Sequence, residues 1–377
     1  MIIGKKQNRP SKLYPVFCPY CMAVFHPNNV VFRKPSRQDQ QGYVEDPYIL
    51  MHNNIYNKSI KSFLPKTIDP AYIVSENEKE YDSDGMLVMV RDVDGDNVEA
   101  RDRICSFCHN RLAGNAGKLP SHVLSVVGFK GSGKSTYEAA LIDTLGMDHV
   151  GCLNVSVCEE PVFIDDNIKT IRSGSDIIGT TVEAGPFHYQ MTFRHPEARD
   201  FLLNMVDLPG EKFLNVDAIG TVGHMIPESD TCVFLVDLEK KENAKTAFGS
   251  LVGKYGDSLK SGKVNVAVVL YKADKLMKNF PHTPEFLTFR QKRDYVDCAP
   301  VSLSKIKDNH DQIVEFVVRK DAVLSSLNTA LEHNVHPDHL RWFAAFSKQN
   351  EVYAPNNVEE PLLWSLALKG WYPVNKE

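Results

Sequence analysis

The chain has 377 residues, which exceeds one average domain and favours a large domain joined to a smaller one. Its 43% hydrophobic and 24% charged residues are typical of a globular protein, and the net charge of −5 argues against a surface that coats nucleic acid. Without a bilayer-long apolar stretch or the apolar core of a signal peptide, the sequence predicts a cytoplasmic protein that does not contact a membrane.

The N-terminal segment is basic. Residues 1–38 contain no Asp or Glu and carry the side chains Lys5, Lys6, Arg9, Lys12, Arg33, Lys34 and Arg37. Such a segment could contact nucleic-acid phosphates or an acidic partner, but runs of this kind are more often solvated arms. Nucleic-acid binding by this segment therefore stays an alternative that is not favoured.

Two C-x-x-C pairs indicate a metal site. Cys18 and Cys21 form the first pair, and Cys105 and Cys108 form the second. Two residues between thiols place both sulfurs on one tight turn, and two such turns complete a tetrahedral Zn²⁺ site with no open catalytic position. Four separate buried thiols are the alternative, and a redox role is not favoured because neither pair opens the helix of a thioredoxin-like unit.

The spacing between the pairs is unusual. About eighty residues separate them, against roughly fifteen to twenty in a compact zinc ribbon. The segment between them should therefore be an inserted subdomain, and a hairpin with strands at 86–91 and 98–104 is predicted to lead into the second pair. We expect residues 1–119 to form a split zinc-ribbon domain whose metal is held by the four cysteines.

A phosphate-binding loop is predicted at residues 128–135, which read G-F-K-G-S-G-K-S. The apolar run 122–127 predicts a buried strand before the loop, and residues 136–142 predict a helix after it. Backbone N–H groups of such a turn converge on nucleotide phosphates, while Lys134 adds a positive charge and the Ser135 hydroxyl is placed to ligate Mg²⁺. The predicted nucleotide-binding residues here are Gly128, Lys130, Gly131, Ser132, Gly133, Lys134, Ser135 and Thr136.

Strands and helices alternate after this loop. Strands are predicted at 187–194, 200–206, 231–237, 264–271 and 340–346. A polar helix that ends at Lys254 is predicted to follow the strand 231–237, and a further helix is predicted over 322–333. This order predicts an α/β fold with a doubly wound, mainly parallel sheet over residues 120–377.

Three strand ends carry motifs that resemble those of P-loop GTPases of the translation-factor and Ras-like class. They are D-x-x-G at 207–210, K-x-D at 272–274 and F-S-K at 346–348, and the resemblance covers about residues 120–371. It implies binding of GTP or GDP with Mg²⁺ as cofactor. The implied nucleotide-binding residues are Gly210, Lys272, Asp274, Ser347 and Lys348.

The same resemblance implies the Mg²⁺ ligands and the catalytic groups. Asp207 would hold the ion through water beside Ser135, and Thr181, slightly preferred over Thr180, would complete its shell. Lys134 and Thr181 would act on the reacting phosphate, together with Glu211.

Two departures from the family pattern affect these expectations. Tyr271 replaces the Asn that normally precedes K-x-D, which should weaken discrimination at the guanine O6 while Asp274 still favours guanine over adenine or a promiscuous pocket. Glu211 replaces the water-orienting Gln, and Lys130 replaces a Gly that usually leaves room for an arginine finger. Gly131 is not the Asn or Asp of cation-activated relatives, so slow hydrolysis without potassium stimulation is expected.

A narrower resemblance involves the C-terminus. The sequence E-P-L-L-W at 360–364, with a zinc ribbon ahead, is similar to the double-GTPase subfamily of bacterial conflict systems. It implies a defence-related switch that changes its affinity for a protein partner, with the zinc ribbon serving partner binding. A nucleotide-binding scaffold with little hydrolysis and an ATP-dependent enzyme stay open as alternatives, although the second leaves K-x-D unexplained.

Overall fold

A computed structural model describes residues 13–33, 71–72, 79–91, 95, 97–100, 103–146, 153–157, 162–177, 187–193, 197–207, 226–280, 282–288, 300–350 and 352–375. The chain divides into two compact units, residues 1–58 with 62–121 and residues 59–61 with 122–377. None of the helices among the described residues has both the length and the apolar composition that a bilayer crossing requires.

The N-terminal unit contains short antiparallel strands. They form a two-stranded sheet β1-β2 and two three-stranded sheets, β4-β3-β8 and β5-β6-β7. The strands are β1 (Val16–Phe17), β2 (Val24–Phe25), β3 (Val31–Arg33), β4 (Ala71–Tyr72), β5 (Lys79–Tyr81), β6 (Leu87–Arg91), β7 (Asn97–Glu99) and β8 (Arg103–Ile104).

The predicted hairpin is present, but its second strand is shorter than the sequence indicated. Strand β7 pairs with β6 and ends at Glu99, whereas β8 pairs with β3 instead. The Arg103 side chain is buried, and its guanidinium donates hydrogen bonds to the carbonyl oxygens of Pro27 and Leu87. The backbone pairing of Arg103 and Ile104 with Phe32 and Val31 is what places β8 in a different sheet, so the prediction of one strand over 98–104 is wrong.

The C-terminal unit contains an eight-stranded sheet in the order β10-β11-β12-β9-β13-β14-β15-β16. The pairs β9-β13, β13-β14 and β14-β15 are parallel. The pairs β10-β11, β11-β12 and β15-β16 are antiparallel. The strands are β9 (Ser121–Gly128), β10 (Leu153–Val157), β11 (Phe187–Phe193), β12 (Phe201–Asp207), β13 (Thr231–Asp237), β14 (Asn265–Tyr271), β15 (Leu340–Gln349) and β16 (Val352–Asn356).

Helices cover both faces of this sheet. They are α1 (Lys134–Gly146), α2 (Val162–Arg172), α3 (Glu242–Lys260), α4 (Leu303–Ile313), α5 (Ala322–Asn334) and α6 (Glu360–Leu368). On one face, Val233 and Leu235 of β13 belong to the same buried core cluster as residues of α1 and α6. On the other face, the Phe234 ring lies 5.8 Å from the Phe248 ring of α3. The predicted doubly wound α/β fold is therefore confirmed.

Candidate functional site

The phosphate-loop segment joins the central strand β9 to helix α1. Strand β9 ends at Gly128 and α1 begins at Lys134. Between them, Gly131 and Gly133 have φ values of 78° and 90°, in the left-handed region that glycine enters without a Cβ penalty. The Tyr137 N–H donates to the Gly133 carbonyl oxygen at 2.8 Å, which closes the first helical turn directly after the loop. The loop therefore presents its backbone at a helix N-terminus, as a phosphate site requires.

Two of the loop glycines are also required by packing. A Cβ on Gly133 would lie 2.6 Å from Cε1 of the buried Tyr271 ring. A Cβ on Gly128 would lie 2.5 Å from the Ser132 hydroxyl oxygen and 3.0 Å from the Leu235 carbonyl oxygen. The loop therefore packs closely against Leu235 of β13 and Tyr271 of β14, and these contacts fix the path of its backbone.

Two lysine ammonium groups lie at the loop. The Lys134 ammonium donates to the Gly128 carbonyl oxygen at 3.3 Å, which holds its charge across the turn. The Lys240 ammonium lies 3.2 Å from the position that a Cβ on Gly131 would take. Lys240 was not predicted as a site residue, because it follows β13 and no motif marks it. Both cations are placed where negative charge would be stabilised.

The predicted base-side residues lie at the same edge of the sheet as the loop. Gly128 of β9 is in register with Leu235, Asp237 of β13 with Tyr271, and Tyr271 of β14 with Ala345 of β15. The carboxyl ends of these parallel strands therefore line up, which is where doubly wound proteins bind ligands. This edge brings together the phosphate loop and the strand-end residues Lys272, Asp274, Ser347 and Lys348.

Lys272 is held by two carboxylates that the sequence analysis did not predict. Its φ is 62°, and its ammonium donates to Asp237 Oδ2 at 2.9 Å and to Glu239 Oε2 at 3.0 Å. Lys275 and Lys272 together lower the pKa of Glu239 to about 2. Asp237 is buried at the end of β13, and an acid directly after an apolar strand at this edge is the signal that could have identified it.

Tyr271 points into the core beneath the loop. Its hydroxyl donates to the Ser347 hydroxyl oxygen at 2.8 Å, and its ring meets the Tyr137 ring edge-on with centroids 5.9 Å apart. Only 2% of the residue is exposed, so the side chain that replaces the expected Asn is buried in the protein interior.

Lys348 contacts the segment that follows α2. Its ammonium donates to the Gly174 carbonyl oxygen at 2.9 Å and to Asp176 Oδ1 at 2.7 Å. Because Lys348 is bonded to it, the pKa of Asp176 lies below its usual range. The predicted base-side cation therefore also anchors residues 174–176.

Several predicted residues lie outside the described part of the chain. They are Thr180, Thr181, Gly210 and Glu211. Asp207 ends strand β12, and its side chain is likewise outside the description. The roles predicted for these residues stay predictions.

The four predicted zinc ligands form one cluster in the N-terminal unit. The sulfur atoms of Cys18, Cys21, Cys105 and Cys108 all lie within 4.8 Å of one another, with Cys18 to Cys108 at 3.7 Å and Cys21 to Cys105 at 3.6 Å. A tetrahedron with Zn–S bonds of about 2.3 Å has edges of about 3.8 Å, so these four thiols fit a zinc ion.

The two cysteine pairs have the same backbone geometry. The N–H of Met22 donates to the Cys18 carbonyl oxygen at 2.8 Å, and the N–H of His109 donates to the Cys105 carbonyl oxygen at 2.9 Å. Met22 and His109 have φ values of 62° and 55°. Each pair therefore forms a tight turn that closes with a left-handed residue, and the two turns face one metal position. Asn110 donates to Cys108 Sγ at 3.3 Å, a hydrogen bond that favours the thiolate form.

The comparisons with known proteins give structural likenesses only. No family model matches the chain, and no curated protein matches it. It is similar to the G domain of the T. maritima FeoB iron transporter at 14% identity, with a TM-score of 0.23, over 42% of this chain and 82% of that one. It is also similar to Sup35 in complex with GDP at 10% identity, with a TM-score of 0.26, over 60% of this chain and 37% of that one. At such low TM-scores neither likeness carries an argument. The sheet order and the loop geometry by themselves define a doubly wound α/β domain with a glycine-rich loop between its central strand β9 and helix α1.

Proposed function

We propose that the C-terminal unit binds GTP with Mg²⁺, hydrolyses it slowly and acts as a switch, and that the N-terminal unit carries one structural Zn²⁺. The observation that carries this proposal is the course of residues 128–135. Their left-handed glycines open a backbone cradle at the N-terminus of α1, on the sheet edge that also bears Lys272 and Asp274. If the motif matched by chance, there would be no reason for it to lie between a buried strand and the N-terminus of a helix.

The phosphate end of the ligand would lie against the loop. Lys134 would contribute the main positive charge facing the β- and γ-phosphates, and Lys240 would add a second positive charge beside Gly131. Ser135, Asp207 and Thr181 would hold the Mg²⁺, which neutralises phosphate charge when bound.

The base end would lie against the ends of β14 and β15. Asp274 can accept hydrogen bonds from the N1 and N2 groups of guanine, donors that adenine does not offer at those positions. Because the Tyr271 hydroxyl is bonded to Ser347, discrimination between the purines would rest on Asp274. The stem of Lys272, fixed by its bonds to Asp237 and Glu239, would lie over the purine ring.

Turnover would be slow. Glu211 directly follows the D-x-x-G segment, and an ionised carboxylate there repels the γ-phosphate more than it helps to orient water. Lys130 is exposed on the loop, where it would obstruct an inserted arginine or partly replace its charge. Slow hydrolysis suits a switch whose segments around Thr181 and Gly210 order on the γ-phosphate and change affinity for a protein partner.

A role in a bacterial conflict system is part of the proposal and has a narrower basis. It rests on the resemblance of residues 360–364 together with the four-cysteine cluster. In this role the zinc-bearing unit would bind the partner.

The test of nucleotide binding uses labelled GTP and a matched pair of lysine substitutions. Lys134→Ala should weaken binding by about 30-fold or more, since a charge-assisted contact worth about 2 kcal/mol is lost. Lys278→Ala, in the 3-10 helix Ala273–Asn279, removes an exposed lysine outside the loop and should change nothing. Unchanged GTP affinity in a folded Lys134→Ala protein would contradict the proposal.

Competition assays distinguish the alternatives. Unlabelled GTP and GDP should displace the labelled GTP, and ATP at the same concentration should not. Displacement by ATP as effective as that by GTP would favour an ATP-dependent enzyme. Tight GTP binding without any phosphate release would favour a scaffold.

A further inference from the structure

We propose that Tyr271 is a positioning residue that joins the phosphate loop to the base side of the nucleotide site, so that its hydroxyl group sets affinity for the nucleoside part of the ligand. This inference rests on the proposed function. It assigns a role to the side chain that departs most clearly from the resembled K-x-D pattern.

The ring of Tyr271 fixes the phosphate loop. Its Cε1 and Cδ1 atoms lie 2.6 Å and 2.9 Å from the place of a Cβ on Gly133, so the ring occupies the space that the glycine leaves. The Tyr137 ring, at the start of α1, packs edge-on against it. The loop and the first turn of its helix therefore rest on one buried aromatic side chain.

The hydroxyl of Tyr271 fixes the base side. It donates to the Ser347 hydroxyl oxygen at 2.8 Å, within β15 and one residue before Lys348. Burial raises the pKa of Tyr271, so the phenol stays protonated and remains a donor throughout the neutral range. A single rigid side chain thus connects Gly133 and Ser347.

These two functions belong to different atoms, which makes the inference testable. Tyr271→Phe keeps the ring under Gly133 and removes only the bond to Ser347. The affinity for GTP should fall about five-fold, because a buried neutral hydrogen bond contributes about 1 kcal/mol. Displacement of labelled GTP by inorganic tripolyphosphate with Mg²⁺ should show no loss of tripolyphosphate affinity, because the phosphate cradle is unchanged.

Tyr137→Phe is the matched control. The Tyr137 hydroxyl donates to the Val358 carbonyl oxygen at 2.9 Å, and the residue is as buried as its neighbour in the ring pair. Loss of the Tyr137 hydroxyl should leave the affinities for GTP and for tripolyphosphate within about two-fold of the wild-type values. Ser347→Ala removes the acceptor and should reproduce the effect of Tyr271→Phe. The double variant should bind GTP no more weakly than either single variant, since both remove one bond.

Several results would overturn the inference. They are unchanged GTP affinity in both Tyr271→Phe and Ser347→Ala, an equal loss for tripolyphosphate, or additive losses in the double variant. If Tyr271→Phe fails to fold, unchanged GTP affinity in Ser347→Ala still overturns the inference. A loss in Ser347→Ala supports it only together with the same loss in Tyr271→Phe, because Ser347 is itself a predicted nucleotide-binding residue. Failure of the proposed function is distinguishable, because the wild-type protein would then show no Lys134-dependent GTP binding at all.

Discussion

Gly133→Ala examines whether the phosphate loop is seated on Tyr271 as tightly as the distances indicate. The substitution adds one methyl group at a φ of 90°, where an L-residue costs about 1–2 kcal/mol. The added Cβ also meets the Tyr271 ring at 2.6 Å, and overpacking of a buried site costs about 1–3 kcal/mol more. The free energy of unfolding should therefore fall by about 2–5 kcal/mol.

Two other glycines separate the contributions. Gly131→Ala has a similar φ of 78°, but its nearest neighbour is the flexible end of Lys240 at 3.2 Å, so only the backbone cost of about 1–2 kcal/mol applies. Gly249→Ala lies within α3 with nothing within 4 Å of its Cβ position. It should stabilise the protein by up to about 1 kcal/mol, because alanine is the better helix former.

Urea unfolding followed by tryptophan fluorescence measures these effects in the full chain. All three tryptophans, at 342, 364 and 371, lie in the C-terminal unit, so the signal reports that unit. A change in midpoint at constant slope indicates a change in stability. If Gly133→Ala is no more destabilising than Gly131→Ala, the Tyr271 ring does not pack tightly under Gly133 and does not support the loop.

Three further predictions concern the metal, protonation and turnover. The wild-type protein should hold about one zinc per chain, and the Cys18→Ser variant should hold much less. The tryptophan-monitored unfolding transition of Cys18→Ser should match that of the wild type, because it reports the C-terminal unit. A zinc-free, folded wild-type protein would contradict this. Burial, with Lys369, lowers the pKa of His122 to about 4 against the opposing effect of Asp230, so the unfolded state binds more protons below about pH 6.5. Stability should thus fall by on the order of 3 kcal/mol as the pH drops from 6.5 to 4, and a flat profile there would refute the assignment. Wild-type GTP hydrolysis should be slow and should not rise when potassium replaces sodium. Glu211→Gln should raise it modestly; a ten-fold fall, about 1.4 kcal/mol of barrier, would identify Glu211 as catalytic.

The central strands could be predicted from sequence because each is a continuous apolar run. The predicted strand 231–237 coincides with Thr231–Asp237, and 264–271 differs from Asn265–Tyr271 by one residue. Strands buried on both faces need no alternating pattern, and their local composition alone identifies them. The phosphate loop was predictable for a similar reason, since its glycine and lysine pattern is contiguous in the sequence and lies between an apolar run and a helical segment.

The unpredicted elements carry weaker local signals. Strand β16 includes Pro355, which cannot donate a hydrogen bond and is tolerated because this strand lies at the edge of the sheet. Helix α4 is largely polar and buries only Ile306, Asn309 and Ile313. Its N-terminus is capped by the Ser302 side chain, which accepts from the Lys305 N–H at 3.0 Å, a local signal that could have identified it. Tertiary packing, rather than propensity, decides such elements.

The pairing of the site lysines with their carboxylates could not be predicted, because it depends on strand order. Lys272 and Asp237 are 35 positions apart, and Lys348 and Asp176 are 172 positions apart. Each predicted base-side cation is thereby paired with a carboxylate, so its charge is largely compensated before any ligand binds. In the proposed function the attraction for phosphate would then come mainly from the loop backbone, Lys134 and Lys240, while Lys272 and Lys348 would serve chiefly as fixed side chains at the base end.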